Sequence, residues 1–287
     1  AAAPAAPSRQ VPWPAVPKRT SEVKVMDPQT PGDFDEQVLA PLDLGGRPFT
    51  ARAIVDWTEC PMKFLLSWFV GHAESRRFIG GPAALHQAVR QALVGMYRLG
   101  GPARVTAEDL LAMFAEHWDG SLCADSLEEE RLHASGVKML EEYHAAQCQR
   151  PVEVVGVDEH LEVELGGHRF VAVADVVLRE DDGGVNAMRF LTARQPPSKT
   201  DVVEGPGWGL LFAAARQRWT EDDVSVTMYS VRRQRGVRVR YHEVELERLL
   251  RRLTSAADRI RVATNFPART GQQCRWCRAR DRCPALK

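Results

Sequence analysis

The sequence predicts an α+β fold in which a largely helical first half precedes a central mixed β-sheet flanked by helices. Residues 50–148 contain four stretches with apolar side chains at helical spacing. Residues 152–194 then alternate apolar and polar side chains in three runs, and strand and helix patterns follow up to residue 263. With 287 residues, the chain is long enough to bury a sizeable core.

The first 45 residues show little periodicity. Residues 1–19 are rich in Pro and Ala and lack the apolar core of a signal peptide. We therefore expect residues 1–45 to form an extended linker and residues 46–287 to form the folded domain. No run of 18 apolar residues occurs, so we expect a cytoplasmic protein without membrane contact.

Four helices are expected in the first half of the chain. The first should begin after Thr50, whose hydroxyl is a good N-cap, and Pro61 should interrupt it because proline cannot donate the helical hydrogen bond. Thr106 and Asp109 form a capping-box pattern at the start of the third. The expected helical ranges are 50–71, 81–101, 106–119 and 126–148.

The second half of the chain alternates strands and helices. The first three strands are joined by glycine-containing turns, which predicts an antiparallel meander. The expected strands are 152–165, 168–180, 185–194, 224–231 and 236–246, and the expected helices are 207–219 and 246–263.

Positive charge is concentrated near the end of the chain. Residues 231–287 hold 16 Lys and Arg against 5 Asp and Glu, whereas the first 230 residues hold 22 against 33. This asymmetry favours a polyanion partner, and a solvated surface or an acidic protein partner is the alternative. The candidate phosphate-binding residues are Arg232, Arg233, Arg235, Arg238, Arg240, Arg275 and Arg278.

A cysteine cluster closes the chain in the segment GQQCRWCRARDRCP. Cys274, Cys277 and Cys283 follow a C-x2-C-x5-C spacing, one thiolate short of the four that zinc or an iron–sulfur cluster needs. Cys60 is the best candidate for the fourth ligand, since Pro61 constrains the backbone beside it. The cysteines expected to be small core or surface residues are Cys123 and Cys148.

This division of one early cysteine, within CPMKF at residues 60–64, and three late ones resembles the iron–sulfur subset of the PD-(D/E)XK nuclease superfamily. That subset includes RecB-like and AddB-type nuclease domains and CRISPR-associated RecB-like exonucleases. The resemblance covers about residues 45–285 and implies a restriction-endonuclease-like core. It also implies a 4Fe–4S cluster that joins the two ends of the domain through Cys60, Cys274, Cys277 and Cys283. Zinc, or thiols clustered without a metal, are the alternatives.

The resemblance also implies positions for a catalytic centre. It assigns His86 to an early helical motif, Glu159 to an acidic position on one strand and Asp175 to the aspartate of the next. In such centres carboxylates bind Mg²⁺ or Mn²⁺ at the scissile phosphate, and a lysine helps to activate the attacking water. A carboxylate among the apolar residues around Asp175 needs a partner or a metal.

The third strand departs from the family pattern. Anchored on Thr192, it carries Arg189 where the family has an acid and Leu191 where it has lysine, separated by Phe190. A cation cannot ligate a metal cation, and leucine performs no acid–base chemistry. The resemblance therefore implies a domain whose nuclease centre has degenerated, with Arg189 contacting phosphate in place of a metal ion.

Three functions are compatible with these features. The first is a catalytically degenerate iron–sulfur domain that binds DNA, single-stranded or at duplex ends, in repair, recombination or defence. The second is an active exonuclease that uses Mg²⁺ or Mn²⁺ and acids shifted from the usual positions, such as Glu180, Asp181 or Asp182. The third is a structural domain of a helicase–nuclease machine, with a helicase, nuclease or CRISPR-type protein as its partner.

Overall fold

The computed structural model describes residues 46–68, 80–220 and 223–286. They form a mixed α/β domain in which helices flank one mixed sheet, as the sequence predicts for this part of the chain. The expected linker over residues 1–45 lies outside the described residues, and the boundary of the domain stays a prediction. No described helix is both long enough and apolar enough to cross a membrane.

Local sequence rules account for the helix boundaries. The Thr50 hydroxyl accepts a hydrogen bond from the backbone N–H of Ala53 at 3.1 Å, and Thr106 forms a reciprocal capping box with Asp109. The predicted break at Pro61 is confirmed, since Cys60 is extended between two helices. The helices are α1 Ala51–Glu59, α2 Pro61–Trp68, α3 Gly81–Arg98, α4 Ala107–His117, α5 Ser126–Gln147, α6 Lys199–Glu204, α7 Pro206–Arg218 and α8 Glu243–Arg261.

Within the described ranges, six strands form the sheet. They are β1 Phe49–Thr50, β2 Glu153–Leu165, β3 His168–Arg179, β4 Val185–Leu191, β5 Val224–Ser230 and β6 Arg235–Val239. Strand β3 pairs parallel with β1 and antiparallel with both β2 and β4. Beyond it, β4 pairs parallel with β5, and β5 pairs antiparallel with β6. The predicted meander is therefore confirmed as β2–β3–β4.

In the part of the chain that the structure describes, two apolar cores lie against the sheet. One packs strand residues against α1, α7 and α8, and the other packs them against α3, α4 and α5. Strand β4 contributes to both because its side chains alternate, with Ala187 in the first core and Met188 and Phe190 in the second. This arrangement fixes β3 and β4 between α3 and α7.

Several boundaries differ from the predictions, and one helix was not predicted. The strand expected over 236–246 ends at Val239, and α8 begins at Glu243 because acidic residues in the first turn complement the helix dipole. The third strand ends at Leu191 rather than at residue 194. Helix α6 was not predicted, although Ser198 forms a capping box with Asp201.

Candidate functional site

Asp175 lies at the centre of the site that the resemblance implies. Its side chain is 1% exposed, and its two carboxylate oxygens have different partners. Oδ1 accepts a hydrogen bond from Arg90 Nε at 2.6 Å, and Oδ2 accepts one from the backbone N–H of Phe190 at 2.7 Å. The Arg90 side chain is 15% exposed, so this is a largely buried ion pair. The charge of Asp175 is thus neutralised from within the protein.

A second aspartate shares the same arginine. Asp158 on β2 forms an ion pair with Arg90 and accepts a further bond from Arg98 at 3.3 Å. Its backbone has a φ of 56°, a left-handed conformation that is unusual inside a strand and costs on the order of 1–3 kcal/mol. Helix α3 therefore holds β2 and β3 together through one guanidinium between two carboxylates.

His86 lies one helical turn before Arg90 on α3. Its Nδ1 is 3.4 Å from the Thr192 hydroxyl, just after β4. Burial lowers the pKa of His86; the Asp175 carboxylate opposes this, and the Arg189 and Arg90 cations reinforce it. The charges of Asp175 and Arg189 therefore both act on the His86 ring.

The other implied positions do not complete a metal-binding centre. Arg189 on β4 is exposed, and Leu191 packs against the core on the α7 side of the sheet. Glu159 is half-buried opposite Ala174, and no hydrogen bond or ion pair in the described residues joins it to the Asp175 carboxylate or His86 ring. The site thus holds two carboxylates, Asp175 and Asp158, that share the Arg90 cation, beside the exposed cation of Arg189.

The four cysteines of the implied cluster line one cavity of about 190 Å³ between the junction of α1 and α2 and the C-terminal segment. Cys60 and Cys283 are buried, whereas Cys274 and Cys277 are half-buried. The C-terminal thiols are carried by short 3-10 turns that begin at Gln272 and Arg280. Residues more than 200 positions apart in sequence therefore surround a common space.

Hydrogen bonds join the two sides of this cavity. The backbone N–H of Arg269 donates to Cys60 Sγ at 3.3 Å, and its guanidinium donates to the carbonyl of Thr58 at 2.6 Å. Burial raises the pKa of the Cys277 thiol, with Cys274 and Cys60 adding to the effect and the Lys63 cation opposing it. Cys277 therefore lies within electrostatic reach of the Cys274 and Cys60 thiols.

The thiols do not converge on a single point. Among the described residues, no group of three or more His, Cys, Asp or Glu is placed to hold one metal ion. Zinc requires all its thiolates about 2.3 Å from one centre, whereas a multi-atom cluster keeps its thiolates farther apart. The four thiols that line this cavity match the number of ligands that zinc or an iron–sulfur cluster takes.

The candidate phosphate-binding arginines fall into two kinds. Arg238 pairs with Glu180 at 3.2 Å, and Arg240 pairs with Asp182 at 3.4 Å and with Asp223 at 2.7 Å. Those without a carboxylate within ion-pair distance among the described residues are Arg189, Arg232, Arg233, Arg235, Arg275 and Arg278.

Sequence reasoning missed Arg90 and Asp158. Arg90 follows His86 by four residues, so both lie on one face of α3, which indicates that Arg90 reaches the same site. Asp158 is an acid directly before Glu159 on β2, and only the observed pairing of β2 with β3 places it beside Asp175.

A comparison with protein families agrees with this architecture. A family model for the PD-(D/E)XK nuclease superfamily matches residues 48–284, and the helix-flanked mixed sheet is consistent with a restriction-endonuclease-like fold. The chain is also similar to the crystal structure of SSO0001, at 14% identity over 79% of this chain and 95% of that chain, with a TM-score of 0.33, too low to support an argument. A comparison with curated proteins finds no match. Because the family model spans most of its length, the chain belongs to the PD-(D/E)XK nuclease superfamily.

Proposed function

We propose that this chain is a catalytically degenerate, RecB-like iron–sulfur domain that binds DNA, or docks in a DNA-processing complex, without cutting. The observation that carries the proposal is the ion pair between Arg90 and the buried Asp175 carboxylate. Repair, recombination and defence remain the candidate pathways, with a helicase, nuclease or CRISPR-type protein as partner and the cytoplasm as location.

Loss of cleavage follows from the charges around Asp175. A catalytic Mg²⁺ or Mn²⁺ would have to displace the Arg90 guanidinium from Asp175 Oδ1, and it would find the cation of Arg189 where a further carboxylate is needed. Leu191 supplies no general base or charge. An exposed arginine in that position instead suits a phosphate group, which guanidinium binds with two parallel hydrogen bonds.

The shifted-acid alternative is less well supported. Glu180 and Asp182, two acids near the third strand, are engaged by Arg238 and Arg240. The backbone N–H of Gly184 and Arg240 together lower the pKa of Asp182, with the backbone bond contributing most. Both acids therefore stabilise a turn, and of the three acids in this alternative only Asp181 lacks an arginine partner among the described residues.

The four thiols support the cluster part of the proposal. Cys60, Cys274, Cys277 and Cys283 would hold a 4Fe–4S cluster in their common cavity, and the Arg269 N–H to Cys60 Sγ resembles the hydrogen bonds that tune such clusters. When bound, the cluster would supply a covalent cross-link and no step of hydrolysis.

A paired assay tests the functional part. Anaerobically purified protein is incubated with single-stranded and duplex DNA in Mg²⁺ and in Mn²⁺, and cleavage and binding are measured on the same samples. We expect binding without cleavage. Cleavage that disappears on Asp175→Ala would refute the loss of catalysis, and binding to neither DNA would leave only a protein-docking role.

A further inference from the structure

Three arginines gather next to the degenerate centre without any carboxylate among them. Arg232 donates from Nε to the carbonyl of Thr192 at 3.2 Å and from Nη1 to the Ser135 hydroxyl at 2.9 Å. Arg233 donates to the carbonyl of Arg194 at 3.4 Å. No acidic side chain of the described residues lies within ion-pair distance of Arg194, Arg232 or Arg233.

The surrounding structure holds this cluster in place. Gln234, with a left-handed φ of 47°, donates to the carbonyls of Met139 and Val231 and accepts from the Tyr229 hydroxyl. The turn that carries Arg232 and Arg233 is therefore hydrogen-bonded to α5 through Gln234. Arg232 keeps its Nη2 amino group for an outside acceptor, since the bonds it makes in the described region use Nε and Nη1. A guanidinium held in this way loses little side-chain entropy on binding an anion.

The three arginines repel one another, because no carboxylate of the described residues compensates their positive charge. Burial lowers the pKa of Arg232, and the neighbouring Arg194 and Arg233 lower it further. Three guanidinium groups that repel one another are stabilised when an anion binds among them. A chain of phosphates fits better than a single ion, because two of the three guanidinium groups, those of Arg194 and Arg233, are on exposed residues.

The cluster is continuous with the degenerate centre. Thr192 accepts from Arg232 through its carbonyl, and its hydroxyl lies 3.4 Å from His86 Nδ1. A nucleic-acid backbone bound at Arg194, Arg232 and Arg233 would thus run toward His86 and Arg189.

We propose that Arg194, Arg232 and Arg233 form the main phosphate-binding surface of this domain for nucleic acid, and that Arg238 and Arg240 do not. The inference rests on the proposed DNA binding and assigns it to particular residues. It differs from the basic surface expected from the sequence in two ways. Arg238 and Arg240 are left out because carboxylates engage them, and Arg194 is added.

A matched pair of double variants tests the assignment. Arg194→Gln/Arg233→Gln and Arg238→Gln/Arg240→Gln each remove two positive charges, and all four side chains are exposed. Affinity for a short fluorescein-labelled DNA duplex and for its single strand is measured by anisotropy over a series of salt concentrations. Thermal unfolding is followed for every variant, so that a loss of binding can be separated from a loss of folding.

We expect the first double variant to weaken binding by about tenfold or more for each arginine and to reduce the salt slope by roughly 2. The second should change affinity by no more than about twofold, as expected for charges that are already paired. Equal effects of the two variants, with wild-type binding intact, would overturn the assignment while leaving DNA binding in place. If wild-type protein binds neither probe, both the proposed DNA binding and this inference are wrong, and the cluster instead serves an acidic protein partner. If the first double variant fails to fold, Arg194→Gln alone provides the test, with an expected loss of about tenfold.

Discussion

Replacing Arg90 with methionine should lower the free energy of unfolding by far more than the loss of an exposed ion pair would. Methionine keeps an unbranched apolar side chain of similar length on α3, so the substitution mainly removes the guanidinium. It leaves the Asp175 carboxylate, 1% exposed, with only the Phe190 N–H as a hydrogen-bond donor, and Asp158 loses its main partner. Breaking a buried pair in this way typically costs 3–5 kcal/mol, so we expect the free energy of unfolding to fall by about 3–5 kcal/mol.

A double-mutant cycle identifies the cause. Asp175→Asn should cost about 1–3 kcal/mol, because Arg90 retains Asp158 and some solvent exposure. Arg90→Met/Asp175→Asn should be less destabilised than the sum of the single variants, since no buried charge is left unpaired. Urea unfolding followed by circular dichroism measures all three variants. A loss below about 1 kcal/mol for Arg90→Met, or additive single effects, would refute the buried pair as the organising interaction of this site.

Three further outcomes are expected. Cys60→Ser should remove most of the iron from anaerobically purified protein and lower its unfolding temperature, whereas Cys148→Ser should change neither. Equal iron contents in the two variants, measured by metal analysis, would contradict the ligand assignment. Burial lowers the pKa of His86, so the unfolded chain binds its proton more readily and stability should fall as the pH drops below about 6.5. His86→Gln should flatten that part of the stability profile in urea titrations, and an unchanged profile would exclude His86 as its source. Gly136→Ala should destabilise the protein by about 1–3 kcal/mol, because a Cβ there would come within 2.4 Å of an aromatic ring atom. Gly95→Ala should be neutral or stabilising, because the added Cβ would face a flexible methionine at 3.1 Å. Thermal unfolding of both variants measures the difference.

Local features of the fold could be predicted from the sequence because they depend on neighbouring residues. The Thr50 cap, the Thr106 capping box and the break before Pro61 involve residues within four positions of one another. The same rule would have found α6 from Ser198 and Asp201, had it been applied there. The end of β6 at Val239 was harder to place, because the alternation of apolar residues continues into the first turn of α8.

The chemistry of the candidate site depends on contacts that no local pattern contains. Arg90 and Asp175 are 85 positions apart, and Arg90 and Asp158 are 68 apart. In the sequence Arg90 is an ordinary cation on an amphipathic helix, and only the packing of α3 against β2 and β3 turns it into the partner of two carboxylates. Likewise, Arg238 is separated from Glu180 by 58 positions and meets it because β4 and β6 both pair with β5.

The contact between the Arg269 N–H and Cys60 Sγ has a consequence for the timing of biosynthesis. Cys60 leaves the ribosome 209 residues before its partner, which corresponds to roughly 10–40 s at typical elongation rates. Throughout that interval α1 and α2 can form, but the thiol at their junction has no C-terminal segment to cover it. A group that needs all four cysteines can therefore be inserted only after the last turns of the domain have been synthesised. If the proposed iron–sulfur cluster is bound, its delivery, and the protection of Cys60 from oxidation until then, depend on other components of the cell.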